Sequence, residues 1–275
     1  MNASQAGQKV RQQARPWIEN LARCGYAARG LVYTLIGILA LQAAVGSGGK
    51  TTDTQGVLLE IAHQPLGGVV LFLLGVGLGG YALWRLVSAI WDSESKGRDA
   101  KAVLQRIGYG LSGLAYAGLA LSAFKIAWKT RTRGGDSTYY DWTARVLAQP
   151  MGQWLIGLVG LIVIGYAISS LYKAYSAKFR EYLKAGSMSR IEMIWVTRAG
   201  RAGYAARGVV FTIIGWFFIQ AALKSDAKET GGLAKALSTL AQQPHGLWLL
   251  GVVAVGLISY GLYGFCEAYY RRVDA

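Results

Sequence analysis

The stretch GYAARGLVYTLIGILALQAA, from Gly25 to Ala44, decides the fold because it is long, apolar and repeated. Its counterpart GYAARGVVFTIIGWFFIQAA, from Gly203 to Ala222, is identical to it at 13 of 20 positions. A third copy, GYGLSGLAYAGLALSAFKIA, begins at Gly108 and matches the first at seven positions. Self-similarity of this kind indicates one structural unit that is used three times.

Two further landmarks recur in each unit. Every copy is followed by the tetrapeptide Gln-Pro-x-Gly, and a tyrosine comes sixteen residues after each proline. These motif residues are Gln64, Pro65, Gly67 and Tyr81, then Gln149, Pro150, Gly152 and Tyr166, then Gln243, Pro244, Gly246 and Tyr260. Each unit therefore reads as helix A, a short looped-out helix and helix B. We expect the proline in the first turn of helix B, where its missing N–H costs nothing.

The apolar runs are long enough to cross a membrane. Uncharged stretches include 18 residues from Ile107 to Phe124 and 31 residues from Ala236 to Cys266. About 20 apolar residues in a helix cross the roughly 30 Å hydrocarbon core of a bilayer. A soluble helical bundle would instead show polar helix faces, which these runs lack. The sequence therefore predicts an all-α integral membrane protein with six transmembrane helices.

The predicted organisation is a basic N-terminal segment at 1–24, followed by two-helix units at 25–92, 108–179 and 203–270. Each hairpin begins and ends on the same side of the membrane, so the three units are parallel repeats. A pseudo-threefold bundle closes such an arrangement naturally. A linear row of hairpins is the alternative.

Positive charge is distributed unequally between the two sides. With the N-terminus inside, the inner segments hold 17 Lys and Arg residues and the outer loops hold 8. The positive-inside rule then places both termini in the cytoplasm. The formal net charge of +15 also favours anionic lipids as partners at the cytoplasmic face. A protein partner or a second copy of the chain is a further candidate. No nucleic-acid partner is expected, since the basic residues are not gathered on a compact domain among aromatic residues.

Glycines on helix A predict close helix packing. Gly30 and Gly37 are seven residues apart and so lie on one helix face, and Gly208 and Gly215 repeat the spacing. Small residues at such positions let helices approach closely in lipid, where the hydrophobic effect does not drive association.

These motifs carry a resemblance to a known family. The GYAARG start, the Gln-Pro-x-Gly tetrapeptide and the tyrosine late in helix B resemble the bacterial membrane family called domain of unknown function 1206. The resemblance covers Arg23 to about Tyr270 and implies three two-helix units in a bacterial inner membrane. It implies no activity, substrate, cofactor or catalytic residue. The second unit departs from the pattern, with Ser112 in place of the arginine.

Four ionisable residues form a candidate charge cluster at the inner end of the bundle. Arg29 and Arg207 lie one helical turn inside their spans, and Glu267 and Asp92 lie near the inner ends of the last and second helices. Ionisable residues within spans are functional candidates. We predict that Arg207 pairs with Glu267, and that Arg29 pairs with Asp92 or shares Glu267. The alternative is that both arginines extend to the lipid headgroups.

A second candidate set is a polar layer near the outer ends of the A helices. Gln42, Lys125 and Gln220 each follow the first glycine of their unit by 17 residues. Three polar side chains at one depth around an axis would line a pore or a binding site. The alternative is that they lie at the outer membrane interface, where such residues are ordinary.

No catalytic, metal or cofactor site is expected. The chain has only two histidines, two cysteines and no phosphate-binding or nucleophile motif. The first functional hypothesis is thus a non-enzymatic scaffold or a partner- or lipid-binding subunit. The second is a small-solute or ion channel or transporter with a pathway along the pseudo-threefold axis.

Overall fold

The computed structural model describes residues 3–91, 100–128 and 135–271. Within these ranges the chain forms nine α-helices and no β-strand, apart from one isolated bridge between Leu183 and Arg271. The helices are α1 (Ala3–Ala44), α2 (Thr54–Ala62), α3 (Gly67–Trp91), α4 (Ala100–Ala127), α5 (Gly135–Leu147), α6 (Gly152–Ser176), α7 (Arg190–Lys224), α8 (Leu233–Ala241) and α9 (Gly246–Tyr270). The predicted all-α class is confirmed.

Six helices are long and apolar enough to span a membrane. They are α7 and α9 over their full lengths, α6, and the segments Ala22–Ala44, Gly67–Ile90 and Gly108–Ala127. The predicted six spans are confirmed. Helix α7 has 35 residues and so measures roughly 52 Å, well beyond the thickness of a bilayer core. We call the end of the bundle that carries Arg190 and Tyr270 the inner end.

The three units contact one another in a cycle, and the six spanning helices form a ring that is open between α4 and α6. Helix α1 packs along α9, α3 along α4, and α6 along α7, and smaller contacts join α1 to α3 and α7 to α9. Because the first and last membrane helices pack together, the hairpins do not form a linear row. In each of these three closely packed pairs, helix A of one unit lies along helix B of the preceding unit. The order is cyclic, so the third unit precedes the first.

The middle unit is the open part of the ring. Its two membrane helices, α4 and α6, have little contact with each other. In both helices only 22% of the most apolar 18-residue stretch is buried inside the protein, compared with 44% to 50% in the other four spanning helices. Most of the surface of α4 and α6 is therefore available to lipid.

Glycines sit where the paired helices approach most closely. A Cβ placed on Gly264 of α9 would lie 2.9 Å from the Cα of Gly30 in α1. A Cβ placed on Gly215 of α7 would lie 3.1 Å from the carbonyl oxygen of Gly160 in α6. The packing role predicted for the helix A glycines agrees with these contacts, because only a residue without a side chain fits there.

The Gln-Pro-x-Gly tetrapeptide is a turn that precedes helix B. In all three units the glycine N–H donates to the glutamine carbonyl at 2.7–2.9 Å. The third residue has φ of 60° to 64° each time, in Leu66, Met151 and His245. Proline second and a positive φ third define a type II turn. The prediction of proline inside helix B is wrong, because the helix begins only at the motif glycine.

The outer end of the ring is filled by two of the short helices. Val57 and Leu58 of α2, and Ala236 and Leu237 of α8, are fully buried. They belong to one apolar core that also contains buried side chains from all six membrane helices. The short helices thus close the bundle with apolar side chains on the outer side.

Candidate functional site

The repeat tyrosines and the GYAARG arginines meet in one cluster toward the inner end, which is buried at Arg29, Arg207, Glu267, Tyr81 and Tyr260 and exposed at Tyr166. We call it the arginine–tyrosine network, and it comprises Arg29, Arg85, Arg207, Arg271, Glu267, Tyr81, Tyr166 and Tyr260. The sequence had singled out the tyrosines as repeat markers and two of the arginines as buried charges, without linking the two sets. The packing brings them together, because each helix A lies along helix B of the preceding unit, and α1 and α7 also contact helix B of their own units.

Arg29 connects the first unit to the third. Its Nη2 donates to Oε2 of Glu267 on α9, and its Nη1 donates to the hydroxyl of Tyr81 on α3 at 3.1 Å. Its guanidinium carbon lies 5.3 Å from the ring centroid of Tyr260. Arg29 is 6% exposed, so its charge is satisfied inside the protein rather than by headgroups.

Glu267 is the carboxylate at the centre of the network. It is 1% exposed, and its second oxygen, Oε1, accepts from Nη1 of Arg271 one helical turn later. Of the two partners predicted for Arg29, the structure shows Glu267. Asp92 lies outside the described residues. Two guanidinium groups on one carboxylate form a charge-assisted cluster, which is among the stronger hydrogen-bonding arrangements in proteins.

Arg207 does not take the predicted partner in the described structure. Its Nη1 donates to the hydroxyl of Tyr260 on α9, and its Nη2 donates to the hydroxyl of Tyr166 on α6 at 2.6 Å. Its guanidinium carbon is 4.5 Å from the Tyr260 ring centroid. The prediction of an Arg207–Glu267 pair is corrected, because α1 lies alongside α9 and brings Arg29 to the carboxylate. Extension to the headgroups is also excluded, since Arg207 is 8% exposed.

Arg85 on α3 places a guanidinium group beside the second unit, whose own helix A lacks the repeat arginine. Its Nε donates to Tyr81 at 2.8 Å, and its guanidinium carbon lies 4.8 Å from the ring centroid of Tyr109 on α4. Tyr109 begins the repeat copy that has Ser112 in place of arginine. Sequence reasoning missed Arg85 and Arg271. Both were detectable in principle, because each follows its partner by four residues on a helix.

The predicted polar layer is not assembled around the axis. Gln42 and Lys125 are exposed and Gln220 is half-buried. In the part of the chain that the structure describes, these three side chains make no hydrogen bond with one another. Buried apolar neighbours such as Ala40, Ala123 and Ala221 occupy the interior at that depth.

The network is rich in positive charge and poor in groups for catalysis. The network contains four guanidinium groups, three phenol hydroxyls and one carboxylate, and two of the guanidinium groups bind that carboxylate. Within the described ranges, no three His, Cys, Asp or Glu side chains are arranged to hold a metal ion. Such a set stabilises structure and attracts anions, since guanidinium groups donate hydrogen bonds and accept none.

Comparison with known proteins agrees with the repeats. The sequence pattern of the family described as "Domain of Unknown Function (DUF1206)" matches three times, at residues 24–92, 107–177 and 202–271. The chain belongs to this family. It is also 38% identical over 266 residues to a Bacillus subtilis (strain 168) protein named "Uncharacterized protein YxxB", covering 96% of this chain and 95% of the relative. Among solved structures, none matches this chain.

Membership of the DUF1206 family confirms the resemblance that the motifs suggested. The three matched segments each contain one arginine- or serine-bearing helix A and one helix B tyrosine. The family's description names no activity, and the geometry of the bundle and of the network carries the functional evidence.

Proposed function

We propose that the protein is a non-enzymatic membrane protein that acts as a closed scaffold, or as a partner- or lipid-binding subunit. The observation that supports this most is the single apolar core shared by all six membrane helices and by α2 and α8. A conducting pathway needs polar groups or water along its length. Here the outer half of the ring interior is packed with fully buried side chains such as Ile36, Val57 and Leu237.

The exposed positions of Gln42 and Lys125 also favour the scaffold. The solute-pathway hypothesis depends on these residues facing the axis together with Gln220. Polar side chains directed outward suit the membrane interface, where glutamine and lysine are ordinary. A solute or ion pathway is thus the competing outcome of the test below.

We further propose that both termini lie in the cytoplasm of a bacterial inner membrane. The support is the count of 17 inner against 8 outer Lys and Arg residues. Exposed basic residues at the inner end, including Lys178, Arg180 and Arg190, would then face the anionic leaflet. Reporter fusions at residues 50 and 98 should report opposite compartments, and the same compartment for both would contradict this orientation.

A flux assay separates the scaffold from the pathway. The full chain, reconstituted into vesicles of phosphatidylcholine and phosphatidylglycerol, should leave leakage of potassium, chloride and small neutral solutes at the level of protein-free vesicles. The physical reason is the apolar plug formed by α2 and α8. Gramicidin added to the same vesicles serves as the positive control for potassium, and a lytic amount of detergent serves for chloride and neutral solutes. Flux that rises in proportion to the amount of protein would overturn the scaffold proposal.

A further inference from the structure

The three units differ at one position that faces the next arginine. Seven residues after the repeat tyrosine, the third unit carries Glu267, and this carboxylate binds Arg29 of the following helix A. In the second unit the same position carries Lys173, and the following helix A carries Arg207. The boundary between α9 and α1 therefore carries a carboxylate and a guanidinium group. The equivalent boundary between α6 and α7 carries an ammonium and a guanidinium group, which are both positive.

Lys173 and Arg207 face the same boundary between α6 and α7, and neither forms an ion pair with a carboxylate of the described residues. The Lys173 ammonium lies 5.8 Å from the ring centroid of Tyr204, which is one helical turn before Arg207 on α7. The described residues provide Arg207 only with tyrosine hydroxyls as acceptors. Its Nε is buried without a hydrogen-bond partner in that part of the chain. The Nε of Arg29 is unpaired in the same way, so what distinguishes Arg207 is that its guanidinium group has no carboxylate partner among the described residues, where Arg29 has Glu267.

The site is open on one side. Tyr166, which accepts from Arg207, is 42% exposed because α4 leaves much of α6 uncovered. Its neighbours Leu171 and Tyr172 on α6 are exposed as well, at 40% and 52%. An anion could therefore approach Arg207 from the membrane or from the inner aqueous phase, past the middle unit.

We propose that a phosphate oxyanion occupies the place of the missing carboxylate and is bound by Lys173 and Arg207. Guanidinium and ammonium groups together are a common means of phosphate recognition, the first by its planar fork and the second as a point charge. The oxyanion is either the headgroup of an anionic phospholipid or free phosphate. The inference rests on the proposed binding role and names the chemistry of what is bound.

Lys173→Glu is the sharpest test, because it supplies the missing carboxylate. In a neutral detergent without added anion, the variant should melt several degrees above the wild type, as Arg207 gains an internal partner. Wild-type protein should show a melting temperature raised by phosphatidylglycerol relative to phosphatidylcholine, and the variant should lose that shift. Arg180→Glu is the matched control, since it makes the same charge change at an exposed inner position and should keep the shift.

A second arm identifies the source of the oxyanion. Inorganic phosphate, compared with chloride at equal ionic strength in lipid-free detergent, should leave the melting temperature unchanged if a headgroup is required and should raise it if free phosphate suffices. Lys173→Gln removes the charge without adding a carboxylate and should lose the shift in either case. This variant keeps the test valid if Lys173→Glu does not fold. No shift in the wild type with either probe, or an undiminished shift in the Lys173 variants, would overturn the site.

The outcome is independent of the flux assay. Protein-dependent flux would contradict the scaffold while leaving oxyanion binding at Lys173 and Arg207 measurable. If no oxyanion binds, the vesicle assay can still show no flux, and the scaffold proposal then stands.

Discussion

Glu267→Gln is expected to lower the free energy of unfolding by about 3–5 kcal/mol, the range for breaking a buried ion pair. Glu267 is 1% exposed and accepts from both Arg29 and Arg271. The neutral amide leaves the two guanidinium groups in place but removes the charge that balances them. The amide oxygen can accept from one of the two guanidinium groups, but the amide NH2 is a donor, so the other guanidinium group loses its acceptor at this position. Chemical unfolding or thermal melting in a mild detergent measures the loss.

A double-mutant cycle shows which arginine depends on the carboxylate. Arg29→Met and Glu267→Gln should each destabilise the protein, and together they should cost clearly less than the sum, since residues in contact are coupled. Arg207→Met is the matched control, because Arg207 bonds Tyr260 and Tyr166 instead. Its effect should add to that of Glu267→Gln. Additive losses for Arg29, or strong coupling for Arg207, would contradict the network.

Gly264→Leu should destabilise the bundle by about 3 kcal/mol, at the upper end of the usual range for overpacking. A Cβ at this position would lie 2.9 Å from the Cα of Gly30, and the backbone of α1 cannot yield as a side chain could. The substitution therefore forces α1 and α9 apart and strains the contact that closes the ring.

Gly165→Leu is the matched control for this prediction. Gly165 lies in α6, and no heavy atom comes within 4 Å of a Cβ placed there. Its stability should stay within about 0.5 kcal/mol of the wild type, as expected for surface positions. Equal losses for the two variants, measured by melting in the same detergent, would show that α1 and α9 do not approach as closely as described.

The spans, the three units and the glycine faces could be predicted from the sequence, because each depends on local periodicity. Apolar length marks a span wherever it occurs, and Gly30 and Gly37 share a face in any straight helix. The burial of Arg29 and Arg207 was left open by the sequence, because a side chain one helical turn inside a span can also reach the headgroups.

The pairing of the buried charges could not be predicted, because it depends on which helices are neighbours in the ring. The sequence places Arg207 and Glu267 at a similar depth in the membrane. Equivalent residues of all three units lie at that depth, so depth alone does not identify the partner. Arg29 reaches Glu267 only because α1 returns to α9 at the end of the chain. The role of the repeat tyrosines was hidden for the same reason. Tyr81 and Tyr260 accept from the arginine of their own unit, and Tyr166 accepts from Arg207 of the next unit.

A designed disulfide between the first and last membrane helices tests the central claim, the closure of the ring, most directly. A Cβ on Gly251 of α9 would lie 3.8 Å from the Cβ of Ala44 in α1, which suits a disulfide. Ala44→Cys with Gly251→Cys, in a chain whose Cys24 and Cys266 are replaced by serine, should crosslink within one molecule under mild oxidation. Gly79→Cys with Ala120→Cys, at the same 3.8 Å across α3 and α4, is the positive control, and Ala44→Cys with Gly165→Cys the negative one. Efficient crosslinking of the first pair is the predicted result. A crosslink only between α3 and α4 would contradict the closed ring and restore the linear row.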